Sequence, residues 1–245
     1  MMIRIGVIAR PDKTQAGNDI FQIHEEIRKV IVSYHAVPII LIPTNMKYQE
    51  KLTDEEFQTL ESFLTICDGF LFQGGDDYYP FDFRIIDYAY RNNVPTLGIC
   101  LGMQAMSVLF DGTLKDESKD GIEHSQKGVE YVHLVNIEPD SKLYSILKTS
   151  PIKVNSRHHQ YVSNTNLSVC GIATDQTIEA VERKEKDFFI GVQWHPESMI
   201  EYDMVSKRLF TEYFKAVKKN HDKRTVSLHY KGDSYFKKEK ENKRL

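Results

Sequence analysis

Three short patterns in this sequence carry residues that can do covalent chemistry at a carbonyl carbon. Gly98-Ile99-Cys100-Leu101-Gly102 follows an apolar run and opens a helix-periodic one, Leu101 to Leu109. Gly-x-Cys-x-Gly at a strand-to-helix junction is the cysteine form of a nucleophile elbow, because glycines two residues to either side permit the sharp turn that lifts a thiol clear of a sheet. The helix start favours a thiolate and offers the Leu101 N–H to an oxyanion. The alternative is a buried cysteine at a strand end, the commoner fate of a lone Cys. Gly74-Gly75-Asp76-Asp77 closes the preceding apolar run. Backbone N–H groups at paired glycines can approach a substrate oxygen, so Gly75 is the candidate second oxyanion donor, against an ordinary Gly-Gly turn. The third pattern is Gly191-Val192-Gln193-Trp194-His195-Pro196-Glu197. An imidazole can take the thiol proton and return it to a leaving nitrogen, while a carboxylate two residues on can fix its tautomer and Pro196 sets the bend between them. Alone, the same triplet could serve only to cap the helix that follows.

For these patterns to meet, the chain must bring three turns to one edge of a sheet. The first half alternates β-branched runs with amphipathic stretches, as βαβ units around a parallel sheet require. Ile3 to Ala9, Val37 to Ile42, Gly69 to Gln73 and Thr96 to Ile99 read as strands. Ile20, Ile23, Ile27, Val30, Ile31 and Tyr34 recur at helical spacing, and Thr53-Asp54-Glu55-Glu56 begins a second helix with Phe57, Leu60 and Leu64 on its core side. In the second half Val129 to Ile137, Ile152 to Asn155, Val169 to Asp175, Ile178 to Arg183 and Phe188 to Trp194 predict strands at hairpin-like separations, which makes the sheet mixed there. A last amphipathic helix is expected from about Met199 to Val217. Open α/β sheets take ligands at the carboxyl edge of their strands, which is where the Gly-Gly turn and the elbow would lie.

Composition removes several classes of function. Of 245 residues, 41% are hydrophobic and 27% charged, ordinary for a globular chain. No run is long enough to span a membrane, and Arg4 and Arg10 interrupt the apolar start, unlike a signal peptide, so a cytoplasmic location is expected. Cys67, Cys100 and Cys170 are widely spaced with no Cys-x-x-Cys pair, which indicates neither a disulfide framework nor a metal site. Cys67 and Cys170 read as core, and His24, His35, His124, His133, His221 and His229 form no motif. The net charge of −3 is unevenly spread: residues 215–245 hold eleven Lys/Arg against four Asp/Glu, a net of +7, leaving −10 for residues 1–214. The expected organisation is one domain over 1–217 and a basic, flexible extension over 218–245. That extension holds acidic residues too and has no nucleic-acid motif, so it reads as a solvated segment and not a nucleic-acid interface.

Taken in this order, the elbow, the Gly-Gly turn and His-Pro-Glu resemble the class I glutamine amidotransferase superfamily across roughly residues 3–215. Within it, Gly74 to Pro80, Gly112-Thr113-Leu114, Val154-Asn155-Ser156-Arg157-His158-His159-Gln160 and Gly191 to Glu197 resemble the branch containing γ-glutamyl-γ-aminobutyrate hydrolase, the C26 peptidases. The resemblance implies a flavodoxin-like three-layer α/β sandwich with a mostly parallel, partly mixed sheet. It also implies a Cys100–His195–Glu197 triad, with Gly75 and Leu101 as oxyanion donors and Gln104, one helical turn after Cys100, holding the glutamyl group. His158, His159 and Gln160 would position substrate. The implied reaction is hydrolysis of a γ-glutamyl amide through a γ-glutamyl thioester, with no metal or organic cofactor. Two places depart from that branch. Leu101 stands where arginine is frequent, as in ammonia-donating glutaminase domains, and the Pro80–Asp87 stretch is short. The rival expectations are therefore a glutaminase subunit feeding a separate synthetase, and a silent binding module. The released amine and the oligomeric state are left open.

Overall fold

The computed structural model describes residues 2–116 and 122–242, with side chains as far as residue 225. Its elements in chain order are β1 (Arg4–Ile8), β2 (Arg10–Lys13), β3 (Asp19–Gln22), α1 (Glu25–Ser33), β4 (Val37–Leu41), α2 (Asp54–Leu64), β5 (Gly69–Phe72), α3 (Pro80–Arg91), β6 (Thr96–Ile99), α4 (Leu101–Leu109) and β7 (Thr113–Asp116). There follow β8 (His133–Ile137), α5 (Lys142–Leu147), β9 (Ile152–Val154), β10 (Gln160–Asn164), β11 (Ser168–Ala173), β12 (Ile178–Glu182), β13 (Phe189–Val192), a single 3-10 turn at Pro196–Ser198, and α6 (Met204–Asn242).

The main sheet runs β4-β1-β5-β6-β13-β12-β11-β8-β9. From β4 to β13 every pairing is parallel, and from β13 to β9 every pairing is antiparallel. The parallel strands β5, β6 and β13 are buried at every position, as strands covered on both faces must be. One face packs Ile5, Val7 and Ile99 beneath α1 and α6, where Ile27, Ile31, Phe210 and Tyr213 are fully enclosed. The other packs Ile8, Phe70 and Phe72 beneath α2, α3 and α4, through Leu60, Ile85 and Met106. This is the expected three-layer, mostly parallel sandwich with a mixed second half.

Local chemistry explains where the helices begin. Thr53 and Glu56 form a reciprocal capping box at α2, the Thr53 N–H donating to Glu56 Oε2 at 2.8 Å. α3 opens on Pro80, whose fixed φ suits a first helical position, and buries Phe81, Ile85 and Ile86. It converts the stretch expected to be a short loop into a helix.

Three features depart from the sequence reading or were not foreseen in it. Residues 19–22 leave the helical period and pair as β3 with β2, making a separate hairpin beyond the sheet edge. Gln73 holds it: its Nε2 donates to the Ile8 and Gln22 carbonyls, and its Oε1 accepts the His24 N–H. β7 and β10 pair with each other, and β10 also with β12. α6 runs on past residues 217 and 218, where the extension was expected to begin. The Asn220 Nδ2 donates to the Asp68 carbonyl at 2.9 Å, His221 Nδ1 lies 3.1 Å from the buried Asp68 carboxylate, and Arg224 donates to the Cys67 and Thr65 carbonyls. An amphipathic period ended the helix too early because these contacts are polar. No helix among the described residues is long and apolar enough to cross a membrane.

Candidate active site

β6 and β13 are hydrogen-bonded parallel neighbours, with Gly98 opposite Gly191 and Ile99 opposite Val192. The two turns that leave their carboxyl ends therefore meet. Cys100 continues the ladder by one bond, its N–H donating to the Val192 carbonyl at 2.8 Å, and then turns sharply into α4. Its φ of 51° and ψ of −105° are a strained combination for a residue with a Cβ, the hallmark of a nucleophile held at an elbow. The glycines around it answer to crowding. A Cβ on Gly102 would lie 2.3 Å from the Phe72 carbonyl oxygen, so α4 can sit this close to β5 only without one. A Cβ on Gly74 would lie 2.9 Å from His195 Cε1, which places the Gly-Gly turn against the His195 imidazole.

His195 Nδ1 and Glu197 Oε1 are 2.7 Å apart, both residues buried, leaving the other ring nitrogen for the thiol. Asn155 clamps the histidine backbone from both sides, donating from Nδ2 to the His195 carbonyl (3.0 Å) and accepting its N–H at Oδ1 (2.8 Å). Burial pushes the Cys100 thiol up, but the charge and hydrogen bond of His195 outweigh it and hold the thiol below its ordinary value. Burial likewise works against charge on His195, and the Glu197 carboxylate, with Cys100, raises it nonetheless. The two opposite shifts both favour the thiolate–imidazolium form of the pair. In the other two cysteines nothing opposes burial effectively: Cys67 is pushed up to about 12, and Cys170 well above the ordinary thiol value.

A cleft of about 830 Å³ opens onto Cys100 and His195. The β2–β3 hairpin, the Gly75-Asp76-Asp77 turn, His24, Tyr48 and Tyr79 line it, together with Lys127, Arg157 and His159 from the antiparallel half. Arg10 braces the turn: its Nη1 donates to both oxygens of Asp82 at 2.8 and 2.9 Å, and its stem packs beside Gly75. Arg157 and Lys127 make no ion pair among the described residues.

The expected residues thus separate into three groups. Cys100, His195 and Glu197 are brought together, with Gly75 and the Leu101 N–H beside them, and His159 faces the cleft with its Nε2 3.3 Å from Ser125 Oγ. Gln104 and His158 lie behind the nucleophile instead of on the cleft wall. Gln104 Nε2 donates to the Gln160 carbonyl (2.9 Å) and to Gln193 Oε1 (3.2 Å), and Gln193 Nε2 in turn donates to Cys100 Sγ (3.4 Å). Both chains belong to a layer supporting the thiol. His158 Nδ1 is 3.1 Å from the Gln160 carbonyl oxygen. Gln160 points away, because it is the first residue of β10 and its amide is spent on Asp116 Oδ1 at 2.8 Å. Sequence reasoning assigned no role to Gln193, Asn155, Gln73 or the Arg10–Asp82 pair. Gln193 and Asn155 sit inside quoted motifs, whereas the other two act across the fold and leave no local pattern.

A cysteine elbow, a histidine–carboxylate pair and a Gly-Gly turn meet at the carboxyl edge of this sheet, and the chain is similar to proteins of the class I glutamine amidotransferase-like superfamily. Residues 79–197 match the sequence model of the Peptidase C26 family. A glutamine amidotransferase-like protein of Lactococcus lactis, YvdE, is 28% identical over 184 residues, covering 64% of this chain and 77% of the relative. A glutamine-hydrolysing GMP synthase of Francisella philomiragia is 32% identical over 133 residues, 53% of this chain and 24% of that protein. In fold, the glutaminase domain of Trypanosoma brucei CTPS, solved with bound acivicin, superposes with a TM-score of 0.65 at 19% identity, covering 89% of this chain and 94% of that one.

Proposed function

We propose that this chain hydrolyses the amide bond of a γ-glutamyl compound through a γ-glutamyl thioester. The observation that carries this reading is the placement of Cys100 at a strained elbow, beside the His195–Glu197 pair and open to the cleft. The Cys100 Sγ attacks the γ-carbonyl carbon, and the N–H groups of Leu101 and Gly75 receive the negative charge that develops on its oxygen. His195 gives its proton to the departing nitrogen as the C–N bond breaks, leaving the thioester. It then takes a proton from water, whose oxygen adds to the same carbon, and the collapse of that adduct releases glutamate and regenerates the thiolate. Glu197 keeps the imidazole oriented throughout and balances its charge. Arg157 and Lys127, the cations at the cleft without an ion-pair partner among the described residues, suit the substrate's α-carboxylate. Three free cysteines and a thiol nucleophile fit a reducing, cytoplasmic setting.

A second reading, a glutaminase subunit that supplies ammonia to a synthetase, is favoured by Leu101 after the nucleophile and by the similarity to synthase glutaminase domains. A comparison of kcat/KM for the purified chain on glutamine and on a panel of γ-glutamyl amines, with and without candidate synthetases, separates the two. Glutamate release from a substituted amide faster than from glutamine, without a partner, is the expected result. Inert amides and glutamine turnover only in the presence of a synthetase would replace the hydrolase with the subunit.

A further inference from the structure

Away from the cleft, the antiparallel half encloses a carboxylate with no hydrogen-bond partner among the described residues. Glu179, in β12, is fully buried, and neither of its side-chain oxygens accepts a hydrogen bond among the described residues. Three imidazoles face it, His158 with its Nε2 at 3.6 Å from Glu179 Oε1 and two others. His124 Nδ1 lies 3.7 Å and His133 Nε2 3.5 Å from Glu179 Oε1, and the two nitrogens are 3.1 Å from each other. Their far nitrogens meet acceptors: His124 Nε2 is 2.9 Å from the Asp175 carboxylate, and His133 Nδ1 is 3.4 Å from the Leu134 carbonyl oxygen.

Those outer contacts fix the tautomers. A carboxylate and a carbonyl oxygen only accept, so the ring protons sit on His124 Nε2 and His133 Nδ1, and the inner nitrogens present lone pairs. Two lone pairs and a carboxylate then converge, with Ser156 Oγ 3.2 Å from His124 Nδ1 and His158 Nε2 3.6 Å from Glu179 Oε1 beside them. A buried carboxylate facing acceptors costs several kcal/mol in the absence of a cation, on the order of the penalty for an unpaired buried charge. The spacing is that of a coordination polyhedron. A circle through the three inner atoms has a radius of about 2.0 Å, and zinc binds imidazole and carboxylate at about 2.0–2.2 Å. A histidine whose other nitrogen is held by a carboxylate or a carbonyl is the usual outer arrangement of a bound metal.

We propose that His124, His133 and Glu179 bind a divalent transition metal of the zinc class. The ion ties β8, β12 and the chain before β8 to one another. Ser156, beside His124, and His158, whose Nε2 is 3.6 Å from Glu179 Oε1, seat the segment that carries Asn155, Arg157 and His159 against the same cluster. The metal is thus a staple for the cleft wall and takes no part in the thiol chemistry.

The test uses the untagged full chain with Cys100→Ser, so that the nucleophile cannot hold metal. After chelation and gel filtration the protein is titrated with Zn2+ and, separately, with Co2+. One equivalent should bind, Co2+ should develop visible d–d absorption, and Zn2+ at a hundredfold excess over its Kd should raise Tm by about 5–10 °C. Glu179→Gln should abolish the stoichiometric binding, and Asp175→Asn, at a partly exposed position, should weaken it about 10–100-fold. If Glu179→Gln does not fold, the Asp175→Asn affinity and the parent's cobalt spectrum decide. No uptake and no Tm shift in the parent, or unchanged affinity in Glu179→Gln or Asp175→Asn, would overturn the proposal and leave a proton-bridged histidine cluster.

Discussion

Alkylation of the three cysteines measures the electrostatics of the site directly. At pH 7 a thiol at about 12, such as Cys67, is ionised in about one molecule in 10⁵, whereas Cys100, held below the ordinary 9.0, is ionised in more than about one in 10². The thiolate populations therefore differ by at least about 10³. The less basic thiolate is intrinsically weaker, and a Brønsted slope of 0.4–0.5 over three units returns about 20–30-fold, so the expected selectivity is at least about 30-fold. Cys170 follows Cys67, since burial raises it as well. The assay is iodoacetamide labelling with peptide mass spectrometry from pH 5 to 9. Cys100 labelling should rise with pH through a midpoint below 9.0, the direction that stabilising a thiolate requires, and should fall as the thiol is protonated below that midpoint. Labelling of Cys67 or Cys170 at a comparable rate, or a Cys100 midpoint at or above 9.0, would refute the ion pair and the nucleophile assignment.

Glu197→Gln should lower kcat by about 10²–10⁴-fold while Cys100→Ala removes turnover, because the first only misorients His195; equal residual rates in folded variants would contradict that division. Gly102→Ala should destabilise by about 3 kcal/mol or more in urea unfolding, since its Cβ would meet the Phe72 carbonyl at 2.3 Å and backbone cannot yield cheaply; an unchanged midpoint would show that α4 shifts freely. Removing residues 226–245 should leave Tm within about 2 °C, whereas removing 219–245 should lower it by about 4 °C or more by stripping Asn220, His221 and Arg224 from Asp68 and the Thr65–Cys67 carbonyls; equal Tm values would return the boundary to residue 217.

What the sequence discloses here is the part of the structure written in local periods and punctuation. Cys100, His195 and Glu197 could be read because an elbow needs glycine at fixed offsets and because histidine and carboxylate lie two residues apart. β6 and α4 have the bounds their apolar pattern predicts. The β2–β3 hairpin was hidden because Ile20 and Ile23 fall into phase with the α1 period, while the force that pulls residues 19–22 into a strand comes from Gln73, about fifty residues away. Gln104 shows the same limit in the site. Helical spacing puts it on the Cys100 side of α4, but only the fold reveals that Gln193 stands between them. His124, His133 and Glu179 are 9 and 46 residues apart with no recurring spacing, so their convergence is a property of strand order alone.

The pairing of β6 with β13 also fixes when the thiol becomes reactive. Cys100 is about 90 residues upstream of the strand that delivers His195, and nothing nearer in the chain supplies the imidazole. A nascent chain still short of residue 195 therefore lacks the imidazole that lowers the Cys100 thiol, however well its first strands have formed. The pairing of Cys100 with His195 coincides with insertion of the last described strand, β13, into the middle of the sheet, between β6 and β12. Chemical competence in this fold reports that the sheet has closed.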